Sequence, residues 1–333
     1  KWKKKILMSS QTNYKLEEAK RTLELTLKEL GIWEYLFDDT ITEIDINPSR
    51  DIFIYKQGEG NIFTGKIAES EKTRHLINIL ASLEGQVINS RNPRISTILP
   101  ITESRFEGLV EPVVPNPSCA IRKKAIRILS LADYVKQGAF SEKEKILIEN
   151  YVKNKKNMLI VGGTNSGKTS FINAILRAMK EFDDKERHYI IEEVGELQSE
   201  NKNSVFVKIF PGIFSAKDAI KSAMRFNPDR IIFGELRGPE AFDLINAYNS
   251  GHQGGATSIH ANDCHGGLEK LETYILYEYD RPMSQLISRT IDVVLTMTLI
   301  NNVRKLDSIA EVKDYKDGKY ILDFKYKNNE TIL

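Results

Sequence analysis

Cysteine is scarce. The 333 residues hold two, Cys119 and Cys264, far apart along the chain. Two such residues cannot build a disulfide framework, and a reducing compartment is the simpler setting. Long apolar runs are also missing: nothing approaches the ~18 residues of a membrane helix. The longest candidate, VVLTMTLI at 293–300, is short and broken by threonine, so it reads as a buried strand. The start, KWKKKILMSS, carries a basic cluster but no apolar core long enough for a signal peptide. It is expected to be a solvated tail, with a basic-aromatic character suited to peripheral contact with an anionic membrane. Neither charge sign dominates, with 48 Lys+Arg against 46 Asp+Glu. That balance, without a basic stripe interleaved with aromatics, gives no case for nucleic-acid binding.

What is present suits a globular protein with two cores. The length suggests roughly two domains, and 41% hydrophobic residues can fill them. Residues 14–37 read as a helix, with Leu16, Leu23, Leu27 and Leu30 on one face and Gly31 as a stop. ITEIDINPSRDIFIYKQGEGNIFTG alternates around two turns as a meander, and Ser70 is expected to cap a helix closed by Gly85. Strand-like segments follow from Ile95 to Ile121. Beyond about 129, buried apolar runs alternate with helical patterns, the signature of a mainly parallel sheet, and KLDSIAEVKDYKDGKYILDFKYK reads as a hairpin with an Asp-Gly turn. The expected organisation is an α+β domain over 1–128, a linker over 129–140 and an α/β domain over 141–333.

GGTNSGKT, residues 162–169, fits G-x-x-x-x-G-K-[ST] between an apolar strand and a helix, with Ser170 next. In such a loop the backbone N–H groups of Gly162, Gly163, Thr164, Asn165, Ser166, Gly167, Lys168, Thr169 and Ser170 are candidates to wrap phosphates at a helix N-terminus. Lys168 would reach the β- and γ-phosphates and Thr169 would hold Mg²⁺. Asn165 stands where glycine is common, and asparagine tolerates left-handed backbone best among the rest. A phosphate loop alone does not choose among GTPase, small-molecule kinase and motor, but the guanine-specifying N-K-x-D is absent, since NKNS at 201–204 lacks its Asp.

Two apolar strands end in carboxylates. RIIFGE leads to Glu235, and IIEEVGEL carries Glu192 and Glu193. In such sheets chemistry gathers at the carboxyl ends of strands, so Glu235 is a candidate to orient or deprotonate an attacking water. Alternation puts Glu192 and Glu193 on opposite faces, and either could meet Mg²⁺ through a water. SGHQGGATSIHANDCHGG, 250–267, invites a zinc reading through His252, His260, Cys264 and His265, but a fourth ligand with workable spacing is lacking. Beside a phosphate loop, His260 instead stands at the carboxyl end of a strand. His252 then positions its loop, and Cys264 and His265 are expected at the surface.

GGTNSGKTS, IIEEVGEL, AMRFNPDRIIFGELRGPEA and SGHQGGATSIHAND occur in the order of the Walker A, acidic, Walker B and His boxes. Together they resemble the secretion-superfamily ATPases. ITEIDINPSRDIFIY and ESRFEGLVEPVVPNPSCAIRKKA resemble the N-terminal part of the type IV secretion branch, the traffic ATPases of the eleventh Vir B component. The resemblance implies a RecA-like C-terminal domain with a smaller N-terminal one, ATP and Mg²⁺ as ligands, and a hexameric ring at the cytoplasmic face of the inner membrane. Other secretion ATPases and channel components would be partners. It implies that Arg105 and Arg122 approach the phosphates, that His260 senses the γ-phosphate or the water, and that Arg237 belongs to the site. Glu192-Glu193 departs from the more frequent Glu-Asp, and two cysteines exclude the tetracysteine module of type II members. A pilus extension or retraction motor, or a nucleotide-switched scaffold with little turnover, are the alternatives.

Overall fold

The structure, a computed structural model, describes residues 17–56, 58–124, 128–210, 212–300 and 303–328. The basic-aromatic start and the first residues of the expected 14–37 helix lie outside them. The chain divides into two compact units, Lys1–Arg127 and Ile128–Leu333.

In the first unit, helix α1 covers 17–29 and buries Leu23 and Leu27, with Leu30 buried just beyond its end. It stops earlier than its periodicity suggests. Gly31 turns left-handed at φ 68°, and Glu34–Leu36 form a separate 3₁₀ turn. Strands β1 (Ile41–Ile46), β2 (Asp51–Lys56) and β3 (Gly60–Ile67) are the expected meander. Helix α2 (Ser70–Leu83) follows, then β4 (Arg94–Leu99), β5 (Ser104–Leu109) and β6 (Ser118–Arg122). Ser70 is the first helical residue rather than the cap. Glu69 holds the cap position without a side-chain bond, and the Ser70 hydroxyl donates to Asn116 Oδ1 at 3.3 Å. The six strands form one antiparallel sheet ordered β3-β2-β1-β6-β5-β4. Period-2 alternation sends Ile44, Ile46, Ile52 and Ile54 into the core with Phe106, Ile121 and the two helices.

The second unit begins with the segment expected to be a linker, and that expectation is corrected. Residues 129–140 contain helix α3 (Leu131–Lys136), begun by a Ser130–Asp133 capping box. Leu131, Tyr134, Ala139 and Phe140 are buried in the core. An apolar segment looks like a tether until a helix from further along the chain supplies its contacts.

After α4 (Glu142–Lys153) come β7 (Met158–Val161), α5 (Lys168–Phe182), β8 (His188–Glu192), β9 (Ser204–Lys208) and α6 (Ala216–Ala223). Then follow β10 (Arg230–Phe233), α7 (Glu240–Asn249), β11 (Ala256–Ile259), α8 (Cys264–Leu276) and α9 (Ser284–Thr290). Strand β12 (Val293–Ile300) and the hairpin of β13 (Val303–Lys316) and β14 (Lys319–Lys327) complete the unit. The sheet is ordered β14-β13-β12-β7-β11-β10-β8-β9. It is parallel from β12 to β9 and antiparallel at the β13 and β14 end. Apolar clusters cover both faces, which is why β7, β10 and β11 are buried at every position. Each such Leu or Ile contributes about 1.5–3 kcal/mol relative to exposure.

Polar groups fix the amino ends of these strands. The Asn157 side chain accepts from the backbone N–H of Gly254 and Gly255 and donates to Thr290 O, and its own N–H donates to Asp292. Arg230, 2% exposed, donates to Glu186, Gly254 O and Val152 O. Lys155 also reaches Glu186, at 3.0 Å. Burial pushes the Glu186 carboxyl up, but His188, whose Nε2 lies 3.7 Å away, and the bonds from Arg230 and Lys155 outweigh it and hold the group well below the usual carboxylate range. Among the described residues no helix is long and apolar enough to cross a membrane.

Candidate active site

Four strands end around one loop. Strand β7 runs into Gly162–Gly167, and α5 starts at Lys168 with Gly167 as its N-cap. Gly167 sits at φ 92° and Asn165 at φ 62°, the left-handed conformation its amide tolerates. A Cβ on Gly162 would collide with Met297 O and the Ser166 side chain, so the loop lies directly against β12. The Ser166 hydroxyl donates to Gly163 O at 2.9 Å, bracing the turn from inside.

Lys168 is only 7% exposed. Its ammonium donates to Gly162 O at 2.9 Å and Gly163 O at 2.8 Å, and it faces His260 Nδ1 at 3.3 Å. A buried cation resting on carbonyl oxygens, in a loop whose glycines admit backbone approach, fits a polyphosphate. Thr169 and the first N–H groups of α5 fit the accompanying Mg²⁺ and phosphate oxygens.

Glu235 and His260 stand where β10 and β11 end. The Ser258 hydroxyl donates to Gly234 O at 2.7 Å, and Leu236 N–H donates to Ser258 O at 2.9 Å, locking the two strand ends together. Glu235 Oε1 lies 2.5 Å from His260 Nε2. Its Oε2 accepts from Arg237 Nε at 2.8 Å and Nη2 at 2.5 Å, and Arg237 Nη1 reaches Glu193 Oε2 at 3.3 Å. A continuous line therefore runs Lys168–His260–Glu235–Arg237–Glu193. Burial and then the Lys168 charge hold the His260 imidazole below its usual value. Its neutral form donates from Nε2 to Glu235 and offers the Nδ1 lone pair to Lys168.

The two acidic-box glutamates separate as alternation suggests. Glu193 joins Arg237, whereas the Glu192 carboxylate accepts from Glu196 and Leu197 N–H at 2.7 and 2.9 Å and so closes the turn after β8. Arg105 and Arg122 belong to the first unit. They are register partners on β5 and β6, and Arg122 Nε lies 3.7 Å from Glu43.

The expectation that Cys264 is a surface residue is corrected. It starts α8 at 1% exposure, with Sγ 3.3 Å from Thr296 Oγ1 and 3.4 Å from Ser308 Oγ. Helix α8 packs this end on β12 and β13, and no local pattern announces that contact. His265 is exposed, 6.3 Å ring to ring from Phe324. Nδ1 of His252 is buried and has no hydrogen-bond partner among the described residues. Arg304 on β13 lies against Gly167. No motif contains it, and only the strand order brings it to the loop.

Residues 67–327 match the family described as type II/IV secretion system protein. The chain is 32% identical over 288 residues to the probable conjugal transfer protein TrbB of Sinorhizobium fredii, covering 86% of this chain and 88% of that one. It is 30% identical over 292 residues to the type IV secretion system protein VirB11 of Bartonella henselae, covering 75% and 81%. Among solved structures, the Legionella pneumophila ATPase DotB shares the fold with a TM-score of 0.61 at 17% identity, covering 86% of this chain and 80% of that one. The chain belongs to the type II/IV secretion system family, among the traffic ATPases of type IV secretion.

Proposed function

We propose that this chain hydrolyses ATP with Mg²⁺ and that, as a ring-shaped homo-oligomer, it powers substrate export or pilus assembly by a type IV secretion machine. The observation that supports this most is the Glu235 carboxylate, held by Arg237 and His260 beside the Lys168 loop. Lys168 would exchange its loop carbonyls for the β- and γ-phosphate oxygens. Glu235 would orient the attacking water and accept its proton. His260, neutral and bonded to Glu235, would hold that carboxylate and respond to the γ-phosphate. Arg237 would keep Glu235 aimed, and Glu193 would steady Arg237. Mg²⁺, held through Thr169, would neutralise charge on the phosphates when bound.

Arg105 and Arg122 would approach the phosphates from the first unit, so that ATP draws the units together and hydrolysis releases them. Assembly as a hexamer at the cytoplasmic face of the inner membrane, with channel components and other secretion ATPases, follows from the same reading. Steady-state phosphate release by the assembled protein tests it. Wild type should turn over ATP, and Lys168→Ala should abolish turnover. Nucleotide binding without turnover in wild type would favour the scaffold alternative.

A further inference from the structure

The sheet order gives the phosphate loop two flanks. Strands β11 and β10 bring His260 and Glu235 to one side of β7, and β12 with β13 lies on the other. On that second side Arg304, register partner of Leu299, folds its stem over the loop. A Cβ on Gly167 would stand 2.6 Å from Arg304 Cδ and 3.3 Å from its Nε. Gly167 is the N-cap of α5, so the stem and Nε of this half-buried arginine lie beside the start of that helix. Among the described residues no hydrogen bond or ion pair ties its head down. The other cations of the site do have partners: Lys168 rests on carbonyls and Arg237 on two glutamates.

A second observation marks the same flank. Tyr134 of α3 packs at 5.7 Å on Phe140 and edge-on to Phe171 of α5, and its buried hydroxyl has no hydrogen-bond partner among the described residues. Burial raises this phenol, and the Arg304 charge acts against that rise. An arginine kept without a carboxylate, beside the N-terminus of a phosphate-loop helix, is arranged for an anion that arrives from outside.

We propose that Arg304 binds the nucleotide on the flank opposite Glu235 and His260, contacting the α- and β-phosphates that ATP and ADP share. This rests on the reading of the loop as a nucleotide site and adds a residue outside its motifs. A triphosphate lying along the loop has its reacting γ end at Lys168, His260 and Glu235, which leaves its nucleoside end on the β12 side. Arg304 would therefore strengthen both nucleotides alike and would not discriminate between them.

The test measures ADP and a non-hydrolysable ATP analogue by titration calorimetry on the full chain, at low and moderate salt. Arg304→Met keeps the stem that packs on Gly167 and removes the charge. Both affinities should fall about tenfold, by the same factor, as expected for loss of a charge-assisted hydrogen bond. The salt dependence of ADP binding should flatten. Unchanged affinities, or weakening of the ATP analogue alone, would overturn the proposal. Equal weakening with an unaltered salt dependence would also overturn it, because that pattern marks packing rather than charge. Arg304→Gln decides by the same criteria if the Met variant does not fold. If wild type takes up neither nucleotide, the reading of the whole loop fails; if wild type binds and the variants match it, only the role of Arg304 fails.

Discussion

Glu235→Gln probes the proposed chemistry most directly. The change keeps the side-chain shape and removes one negative charge. In the wild-type chain that charge accepts two N–H groups from Arg237 and one from His260. The Gln amide has a single acceptor oxygen, and its NH₂ must face one of these donors, so the line from Lys168 to Arg237 is interrupted. Loss of a positioned general base lowers turnover by about 10²–10⁴, or roughly 2.7–5.4 kcal/mol of barrier. Nucleotide affinity should be unchanged or higher, since the γ-phosphate then meets one negative charge fewer. A second readout follows from His260. Burial and Lys168 hold its imidazole low, and Glu235 pulls it upward. Removing Glu235 should lower it further, which an NMR titration of the ring Cε1–H reports. Normal steady-state turnover by Glu235→Gln would remove this carboxylate from the mechanism, and an upward move of His260 would show that the two are not coupled as drawn.

Two stability predictions stand apart from turnover. Glu186→Gln leaves the buried Arg230 charge without its carboxylate, a loss of about 3–5 kcal/mol. For a unit of this size that lowers the melting midpoint by roughly 6–20 °C in scanning fluorimetry, and the double change Glu186→Leu with Arg230→Met should recover most of it; an unaltered midpoint in the single variant would contradict the buried pairing. Asp45 in β1 is raised to about 6 by burial and then by the Glu43 charge. An acid raised on folding is stabilising when protonated, so its cost is present at pH 7 and disappears as pH falls from about 6 towards the unfolded value near 4. Asp45→Asn should therefore raise the melting midpoint of the first unit at pH 7.5 but not at pH 4.5, and an equal gain at both would assign the effect to something other than this titration.

Contiguous features were legible in the sequence. The phosphate loop, Glu235 and His260 each follow a short apolar run, and strand ends in a parallel sheet converge, so the runs alone bring these candidate residues together. The hairpin with its Asp317-Gly318 turn was equally plain, because its chemistry is local; both residues are left-handed. Contacts made only by packing stayed hidden. Residues 129–140 looked like a tether because the apolar surface that Tyr134 and Phe140 meet belongs to α5. Cys264 looked exposed because its partners lie 32 and 44 residues later. Arg304 lies outside every motif, since what recruits it is the adjacency of β13, β12 and β7. Partner choice between Glu192 and Glu193 needed Arg237 in place, which alternation alone does not supply.

Asn157 has a consequence that reaches the far end of the sheet. Its amide spans the entries of β11 and β12, and it immediately precedes β7. It thus acts as a common zero mark from which three strands are measured. Val161 and Ile259 then come level at the other end, as do Val161 and Thr296. Four residues of strand carry that alignment roughly 13 Å to the phosphate loop. A slip of one residue at the mark would invert every side chain along the strand. The spacing of the loop and His260 is thus calibrated from the opposite, amino end of the strands.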